Sequence, residues 1–397
     1  MHIKQHHSVD YLFFFIIISL YFIPKYLEYT TFYNIPLIAA TSSVLKSVSY
    51  VFALCWFCTK TLAAKKVSYR FMLLVIPVLV YYTYQAAIAD HNTIFVVLLF
   101  SLIFEEKYLK NFVSYALTMS CLLYCITILA CQAGFIENVI TFREKFGSIW
   151  TAGGNGFGYS GQMIMMLIPI VFLYYYKQAG KIKWYNNIFW VIISGIVYYK
   201  CKTIMGFVLI LLFIILYNIS SQYSKLSKKV FQSKFITLSP IIFAVASILL
   251  IGLYNTGSRL GHYLDIVVNG RLSVAGRVIQ FYGIKFLGTD FENNTLNGNY
   301  EILDSEYIHM LVAEGILYLI VSLFLCVCII RYTQKKEQTL VLIWLMIFMN
   351  ATFNNGIFGL VMNPFGILLV PALKSCFKKT TRKHGYFLTK EFKGNNI

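Results

Sequence analysis

Residues 255–307 read NTGSRLGHYLDIVVNGRLSVAGRVIQFYGIKFLGTDFENNTLNGNYEILDSEY, and the rest of the chain is organised around them. This is the one long segment whose polar residues are not enclosed within a few positions by apolar runs. On either side of it, long apolar runs alternate with short basic loops. The pattern predicts a large polar loop set between membrane-spanning helices.

The composition supports a membrane protein. The chain is 58% hydrophobic and 13% charged, whereas an ordinary soluble domain is about 25% charged. Its 34 Lys and Arg against 16 Asp and Glu would indicate nucleic-acid binding in a soluble protein. Here the basic residues lie in short loops between apolar runs, which is typical of membrane topology. We therefore expect one all-α, polytopic membrane domain over residues 1–397 and no nucleic-acid partner.

A helix needs about 20 apolar residues to cross the hydrocarbon core. Twelve runs are candidates for such spans: 11–27, 36–59, 70–89, 93–108, 112–134, 157–176, 186–200, 203–219, 235–254, 308–330, 338–354 and 358–375. The first follows Lys4 and lacks a small-residue cleavage site, so we expect a retained span rather than a signal peptide. Residues 186–219 are also compatible with a re-entrant pair.

The distribution of positive charge predicts the orientation. With the N-terminus in the cytoplasm and the spans alternating, 24 Lys and Arg fall on the inner side, nine on the outer side, and Lys46 within a span. This positive-inside bias places both termini, including the basic tail 376–397, in the cytoplasm. It makes 135–156 and 255–307 outer loops. An anionic substrate would explain why these two loops hold six of the nine outer basic residues: Arg143, Lys145, Arg259, Arg271, Arg277 and Lys285.

The arginines of the large loop are the first candidates for binding that substrate. The segment after Gly270 has a helix-like apolar pattern at Leu272, Val274, Ala275, Val278, Ile279 and Tyr282. A guanidinium group offers a planar fork of donors that matches phosphate oxygens. On one straight helix Arg271 and Arg277 would be about 240° apart, so both reach one phosphate only if Arg271 begins the helix or Gly276 breaks it. We rank Arg271 first; the alternative is that both are solvated interfacial arginines.

Two further basic positions lie elsewhere on the predicted outer side. Arg143 precedes a glycine-rich run, Gly153, Gly154, Gly156 and Gly158, whose backbone amides are candidates for holding an anion at the next helix. The run lacks Gly-Lys-Ser/Thr and is therefore not a nucleotide P-loop; a flexible loop is the alternative. Lys202 lies at the outer end of a short apolar run, where it would bind the substrate or snorkel to the interface.

The end of the large loop, LDSEYIHMLVAEG, carries the acid–base candidates. In a helix, Glu306 and His309 would be neighbours, and Tyr307 and Glu314 would share another face. His309 or a nearby carboxylate is a candidate general base toward a hydroxyl. Asp304 is either part of this site or only a cap for the helix.

The sequence gives little support for a metal or redox site. No His, Cys and carboxylate cluster has the spacing of a zinc site, so neither a metal nor another cofactor is expected. Cys55 and Cys58 have the spacing of a redox motif, but they lie in an apolar span without the βαβ context of such motifs.

Three segments resemble a known family. They are RLSVAGRVIQFYGIKFLGTD (271–290), LDSEYIHMLVAEGILYLI (303–320) and MNPFGILL (362–369). They resemble the bacterial oligosaccharide repeat-unit polymerases of the Wzy type, in the superfamily of O-antigen polymerases and ligases. The stretch REKFG…GNGFG is similar to the arginine-led loop of that superfamily, except that Gly154 replaces a proline before Asn155.

The resemblance implies a glycosyltransferase fold of the C type and a metal-independent reaction at the outer face of the cell membrane. Arg143, Arg271, Asp304, Tyr307 and His309 are the positions to which it points. It implies undecaprenyl-pyrophosphate-linked oligosaccharides as donor and acceptor, membrane lipid around the spans, and a flippase and a chain-length regulator as partners. The product would be a surface polysaccharide. A ligase of the same superfamily and a lipid-linked oligosaccharide flippase are the alternatives; a flippase would predict functional charge inside the bundle and internal symmetry.

Overall fold

A computed structural model describes residues 2–63, 76–85, 93–145, 148–268, 270–289, 295–296, 299–300 and 303–377. The fold is helical. The helices are α1 (His2–Leu27), α2 (Pro36–Ala63), α3 (76–85), α4 (Thr93–Ile103), α5 (Leu109–Gln132), α6 (Ser160–Lys177), α7 (Trp184–Cys201), α8 (Ile204–Gln222), α9 (Ser224–Phe231), α10 (Lys234–Thr237), α11 (Ser239–Asn255), α12 (Arg259–Val267), α13 (Arg271–Tyr282), α14 (Glu306–His309), α15 (Ile316–Thr333), α16 (Gln338–Ala351) and α17 (Leu369–Phe377). The strands are β1 (Ile140–Lys145), β2 (Ser148–Gly153), β3 (Thr295–Leu296) and β4 (Asn299–Tyr300).

Several helices have the length and composition of membrane spans. Within the described ranges five helices qualify, and six do if the bent pair α11 and α12 forms one span. Their outward faces are apolar; for example, Leu249 is 66% exposed and Ile215 54% exposed. Such faces are stable in lipid and costly in water. The chain is therefore a helical protein associated with a membrane.

The predicted runs and the observed helices differ in several places, and residues 70–75 and 86–89 of the run 70–89 lie outside the described residues. The run 308–330 is interrupted at Gly315, where α15 begins after a π-helical turn. The run 93–108 is α-helical only to Ile103, and Glu106–Tyr108 form a separate 3₁₀ turn. The run 358–375 is interrupted by a 3₁₀ turn, Pro364–Leu368, before the nine-residue helix α17. Twelve complete crossings therefore stay a prediction.

Residues 186–219 lie in two helices that reverse at a tight turn. Helix α7 has 18 residues and α8 has 19, so each is about 27–29 Å long, close to the thickness of a bilayer core. The reversal is at Lys202, which has a left-handed backbone with φ 52°. Of the two, only α8 is also apolar enough to qualify as a span, so the choice between two crossings and a re-entrant pair stays a prediction.

Both predicted outer loops contain regular structure. Strands β1 and β2 form an antiparallel hairpin with Arg143 opposite Trp150, a departure from a purely helical fold. Its β-branched and aromatic residues favour extended backbone. In the large loop, α12 turns back at 119° from α11 and α13 follows.

A small apolar cluster holds the large loop onto the helices. Its buried members include Ile251 of α11, Val278 of α13 and Ile308 of α14. All six apolar residues predicted to form one face of α13 belong to this cluster, either buried or packed against it. The predicted helix and its inward face are thus confirmed.

The chain after α13 crosses the start of α15 at very close range. A Cβ atom on Gly288 would lie 2.3 Å from the carbonyl oxygen of Ala313, and one on Gly315 would lie 2.3 Å from the amide nitrogen of Gly288. The amide of Thr289 donates to the carbonyl of Ala313 at 2.9 Å. Residues Met310–Glu314 form a π-helical turn, an irregularity that often marks functional sites. This crossing fixes α13 relative to the segment that carries Asp304 and Glu306.

Candidate functional site

A cavity of about 450 Å³ lies where the ends of several helices meet. It is lined by polar and ionisable side chains from segments far apart in sequence: Tyr29, Thr93, Tyr159, Gln162, Thr203, Arg271, Asp304, Glu306, Asn354 and Asn355, with Gly161, Met165, Gly356, Gly359 and Met362 completing the wall. The volume falls in the range of small-molecule sites, and the polar groups converge in one place. This is the candidate functional site.

Arg271 begins α13 and lines the cavity. Gly270 precedes it with a left-handed φ of 78°, and the Asp265 carboxylate accepts hydrogen bonds from the amides of Leu272 and Ser273 at 2.9 and 3.0 Å. This external cap satisfies amides that would otherwise be unpaired at the helix start. Arg271 thus occupies the first position of the helix.

The guanidinium group of Arg271 is only partly used by the protein. Its Nε donates to Asp304 Oδ2 at 2.8 Å. Its Nη1 is buried and has no hydrogen-bond partner among the described residues. A buried donor without an acceptor is costly, and an anionic ligand in the cavity would supply that acceptor.

Asp304 orients this arginine and does not cap α14. The cap position belongs to Ser305, whose side chain makes no capping hydrogen bond. The capping alternative for Asp304 is therefore wrong. Its carboxylate instead forms an ion pair with Arg271, 33 residues earlier in the chain, and fixes the guanidinium plane.

Glu306 is the most perturbed acid of the cavity. Burial raises the pKa of its carboxyl group from 4.5 to about 7, and the hydrogen bond from the Gly356 amide opposes this only in part. That bond measures 2.7 Å at Oε2. A carboxyl group with a pKa near neutral both accepts and releases a proton at physiological pH, as a general base must.

The turn after α16 closes the cavity over this acid. The Asn355 side chain donates to the carbonyl of Leu303 at 3.3 Å. Asn354 also lines the cavity and is hydrogen-bonded through Nδ2 to Asn350 at 2.8 Å. Met362, in the segment MNPFGILL, contributes to the wall. The three family-like segments thus meet around one cavity.

The other predicted basic residues do not line this cavity. Arg277 and Arg259 are exposed, and for Arg277 this agrees with the helical geometry, which directs it away from Arg271. Lys202 lies over the ring of Tyr199, with Nζ 4.1 Å from the ring centroid, and next to the cavity residue Thr203. The backbone of Arg143 lies in β1, and its side chain is outside the described part of the structure. Substrate binding by these residues stays a prediction.

The predicted residues after Glu306 lie behind the cavity. Tyr307 is 1% exposed and donates from its hydroxyl to the carbonyl of Phe348 at 3.2 Å, a contact that joins α14 to α16. His309 Nδ1 is 3.8 Å from Glu314 Oε1. Glu314 is buried, and its Oε2 has no hydrogen-bond partner in the described part of the chain. None of the three is among the residues that line the cavity, and their predicted roles are untested.

The glycine-rich run does not form an anion cradle. The amides of Gly154, Asn155, Phe157 and Gly158 already donate to protein oxygens, at 2.8, 2.8, 3.1 and 3.1 Å. The run instead packs closely: a Cβ atom on Gly156, whose φ is 89°, would lie 2.8 Å from the carbonyl of Thr127 in α5. The amides of Gly154 and Gly158 are therefore not available to an anion, because they bind the carbonyls of Val139 and Tyr29.

The sequence indicated only part of this site. For Glu306 the sequence did give an indication, because this residue lies near His309 in a polar stretch. Tyr29, Gln162, Asn354 and Asn355 had none, because uncharged polar residues at the ends of apolar runs are common and form no catalytic motif. Among the described residues no group of three or more metal-ligating side chains occurs.

Comparisons with protein-family models, with curated proteins and with solved structures give no match. The function therefore has to be inferred from the cavity and its position in the helical fold.

Proposed function

We propose that this protein polymerises lipid-linked oligosaccharide repeat units at the outer face of the cell membrane. The observation that carries the proposal is the cavity itself. It combines a partly unsatisfied arginine, Arg271, with Glu306, an acid whose pKa is about 7, in a protein whose helices suit a bilayer. One group binds a phosphate, and the other accepts a proton from a hydroxyl.

The position of the cavity supports an outward-facing site. All its lining residues belong to segments that alternating spans place at the outer ends of the helices, from Tyr29 after the first run to Asn354 at the end of the eleventh. Ion pairs join segments that the same alternation places on the inner side, such as Lys60 with Glu105 and Lys336 with Glu106. Twelve spans with both termini in the cytoplasm would account for both groupings.

The reaction follows from the two groups. A hydroxyl of the lipid-linked acceptor attacks the anomeric carbon of the donor glycan, forming a glycosidic C–O bond. The bond from that carbon to the pyrophosphate oxygen breaks, and the lipid pyrophosphate leaves with the electron pair. Glu306 takes the proton of the attacking hydroxyl. Arg271, held by Asp304, stabilises the charge on the leaving group, the point at which fixed donors lower the barrier most. Arg271 also gives an electrostatic reason for a metal-independent reaction.

The alternatives make different use of the same cavity. A ligase would transfer the glycan from the same donor to a different acceptor, and Arg271 would keep its role. A flippase would need no proton acceptor beside the arginine. The nature of the product therefore separates the three functions.

The test is polymer length in a deletion strain complemented with variants of Arg271, each checked for its amount in the membrane. Arg271→Ala should lose about 2–4 kcal/mol of transition-state stabilisation and yield single repeat units at the outer face. Arg271→Lys keeps the charge but loses the planar fork, so it should remain impaired. The matched control is Arg277→Ala on the same helix, which should make polymer of normal length.

Three outcomes would contradict the proposal. Wild-type polymer from Arg271→Ala at normal abundance would remove this arginine from the site. Repeat units confined to the cytoplasmic leaflet would indicate a flippase. Full-length polymer that accumulates without transfer to its final acceptor would indicate a ligase.

A further inference from the structure

A second cavity, of about 530 Å³, lies at the opposite end of α15. Its lining comes from the segment around α10 and from the ends of α15 and α17: Gln232, Lys234, Thr237, Leu238, Arg331, Gln334, Lys335, Ser375 and Cys376. Helix α15 has 18 residues, so its two ends are about 27 Å apart. The second cavity is therefore separate from the site of Arg271.

The charge of this cavity is positive without compensation. Lys234, Arg331 and Lys335 line it, and no carboxylate lines it among the residues that the structure describes. Within the described part of the chain none of the three forms an ion pair, although the neighbouring Lys336 pairs with Glu106. Three cations around one concave surface attract an anion, and Glu106 is already paired with Lys336.

A hydrogen-bonded side chain fixes the wall that carries these cations. Gln334 donates through Nε2 to the carbonyls of Phe231 and Ser233 at 2.7 and 3.2 Å, and its Oε1 accepts from Thr237 Oγ1 at 3.1 Å. These bonds join α10 to the end of α15. Lys234 on one element and Arg331 on the other are thereby held on facing walls before any ligand arrives.

One edge of the cavity is apolar and continues along a helix. Leu238, which lines the cavity, is 45% exposed. It begins a row of exposed side chains on α11 at helical spacing: Ile241, Ile242 and Val245, which are 39%, 36% and 48% exposed. In a bilayer this row faces acyl chains. A soluble anion would use only the basic half of such a surface.

We infer that this cavity binds the phosphate headgroup of an anionic phospholipid, whose acyl chains lie along the exposed row of α11. Arginine and lysine side chains near the membrane surface attract anionic lipid, and basic pockets between helices hold phosphate headgroups. The site is independent of the proposed polymerisation, since it shares no residue with the outer cavity.

The test uses the full chain purified in a neutral detergent and titrated with short-chain phosphatidic acid, with bound lipid counted by native mass spectrometry. The wild type should retain one lipid, and phosphatidylcholine of equal chain length should bind at least tenfold more weakly. The triple variant Lys234→Gln, Arg331→Gln, Lys335→Gln should lose at least tenfold in affinity for phosphatidic acid. The matched control Lys177→Gln, Lys181→Gln, Lys183→Gln removes the same charge from exposed positions of another predicted inner loop and should bind like the wild type.

A second variant tests the geometry with the three cations in place. Leu238→Glu puts a carboxylate at the junction of the basic and apolar parts and should also lose binding, with the thermal unfolding temperature of each variant confirming the fold. Equal losses in both triple variants would mean that only bulk charge matters, and the inference would fail. It would also fail if inorganic phosphate competed as well as the lipid, because the ligand would then be a soluble phosphate.

Discussion

The half-buried acid Glu306 allows the sharpest test, because one substitution should have opposite effects on stability and on activity. A rise in its pKa from 4.5 to about 7 corresponds to roughly 3 kcal/mol at about 1.36 kcal/mol for each pH unit. Because the folded state binds this proton more tightly than the unfolded state, stability falls as the pH rises from about 4.5 to about 7. Above pH 7 the ionised Glu306 carboxylate destabilises the fold by the full amount, and below pH 4.5 this destabilisation is absent.

Glu306→Gln removes the charge and keeps an oxygen that can accept the hydrogen bond from the Gly356 amide. Relative to the wild type, the variant should gain up to roughly 3 kcal/mol between pH 4.5 and pH 8. Thermal unfolding of the full chain in detergent at several pH values measures that difference. The control Glu137→Gln, which changes an exposed carboxylate in the predicted 135–156 outer loop, should leave the pH dependence of unfolding as in the wild type.

The same substitution should abolish proton transfer in the cavity. A lost general base slows a reaction by about 100-fold or more, so Glu306→Gln should yield little polymer in the complemented deletion strain. In the wild type, the rate of polymerisation should fall as the pH drops through 7, where Glu306 becomes protonated. A variant with normal polymer, or with the same pH dependence of unfolding as the wild type, would refute the proposed role of Glu306 as a general base with a raised pKa.

Two further predictions concern topology and packing. Cysteines at the exposed positions Lys285 and Lys181, in a background without the native cysteines, should react differently with an impermeant thiol reagent: Lys285→Cys in intact cells and Lys181→Cys only after lysis. Labelling of Lys285→Cys only after lysis would reverse the predicted orientation. Gly261→Ala should lower the thermal stability, because its Cβ atom would lie 2.6 Å from the backbone carbonyl of Leu253 at the bend between α11 and α12. Gly252→Ala on α11 should be tolerated, since nothing lies within 4 Å of its Cβ position; equal stability of both variants would mean that the bend is not closely packed.

The sequence by itself determined the features that depend on neighbours a few residues apart. Long apolar runs indicated a helical membrane protein, because burial of twenty successive apolar residues requires lipid or a large core. The periodic pattern after Gly270 predicted α13 and its inward face, and the spacing of six residues separated Arg271 from Arg277. These inferences held because helix formation, and the direction in which each side chain projects from a helix, depend on residues close in sequence.

Only the tertiary structure decided which polar groups meet. Asp304 was equally compatible with a helix cap until the fold placed it 2.8 Å from Arg271. The glycines at 153–158 were equally compatible with an anion cradle until the amides of Gly154 and Gly158 were found to donate to the carbonyls of Val139 and Tyr29. Glu306 has a raised pKa, unlike an ordinary surface acid, because the fold partly buries its carboxyl group beside a turn 50 residues later in the chain. A pKa and an ion pair depend on the groups that packing brings within a few ångströms. A local pattern of residues cannot predict the distance between groups that are far apart in sequence.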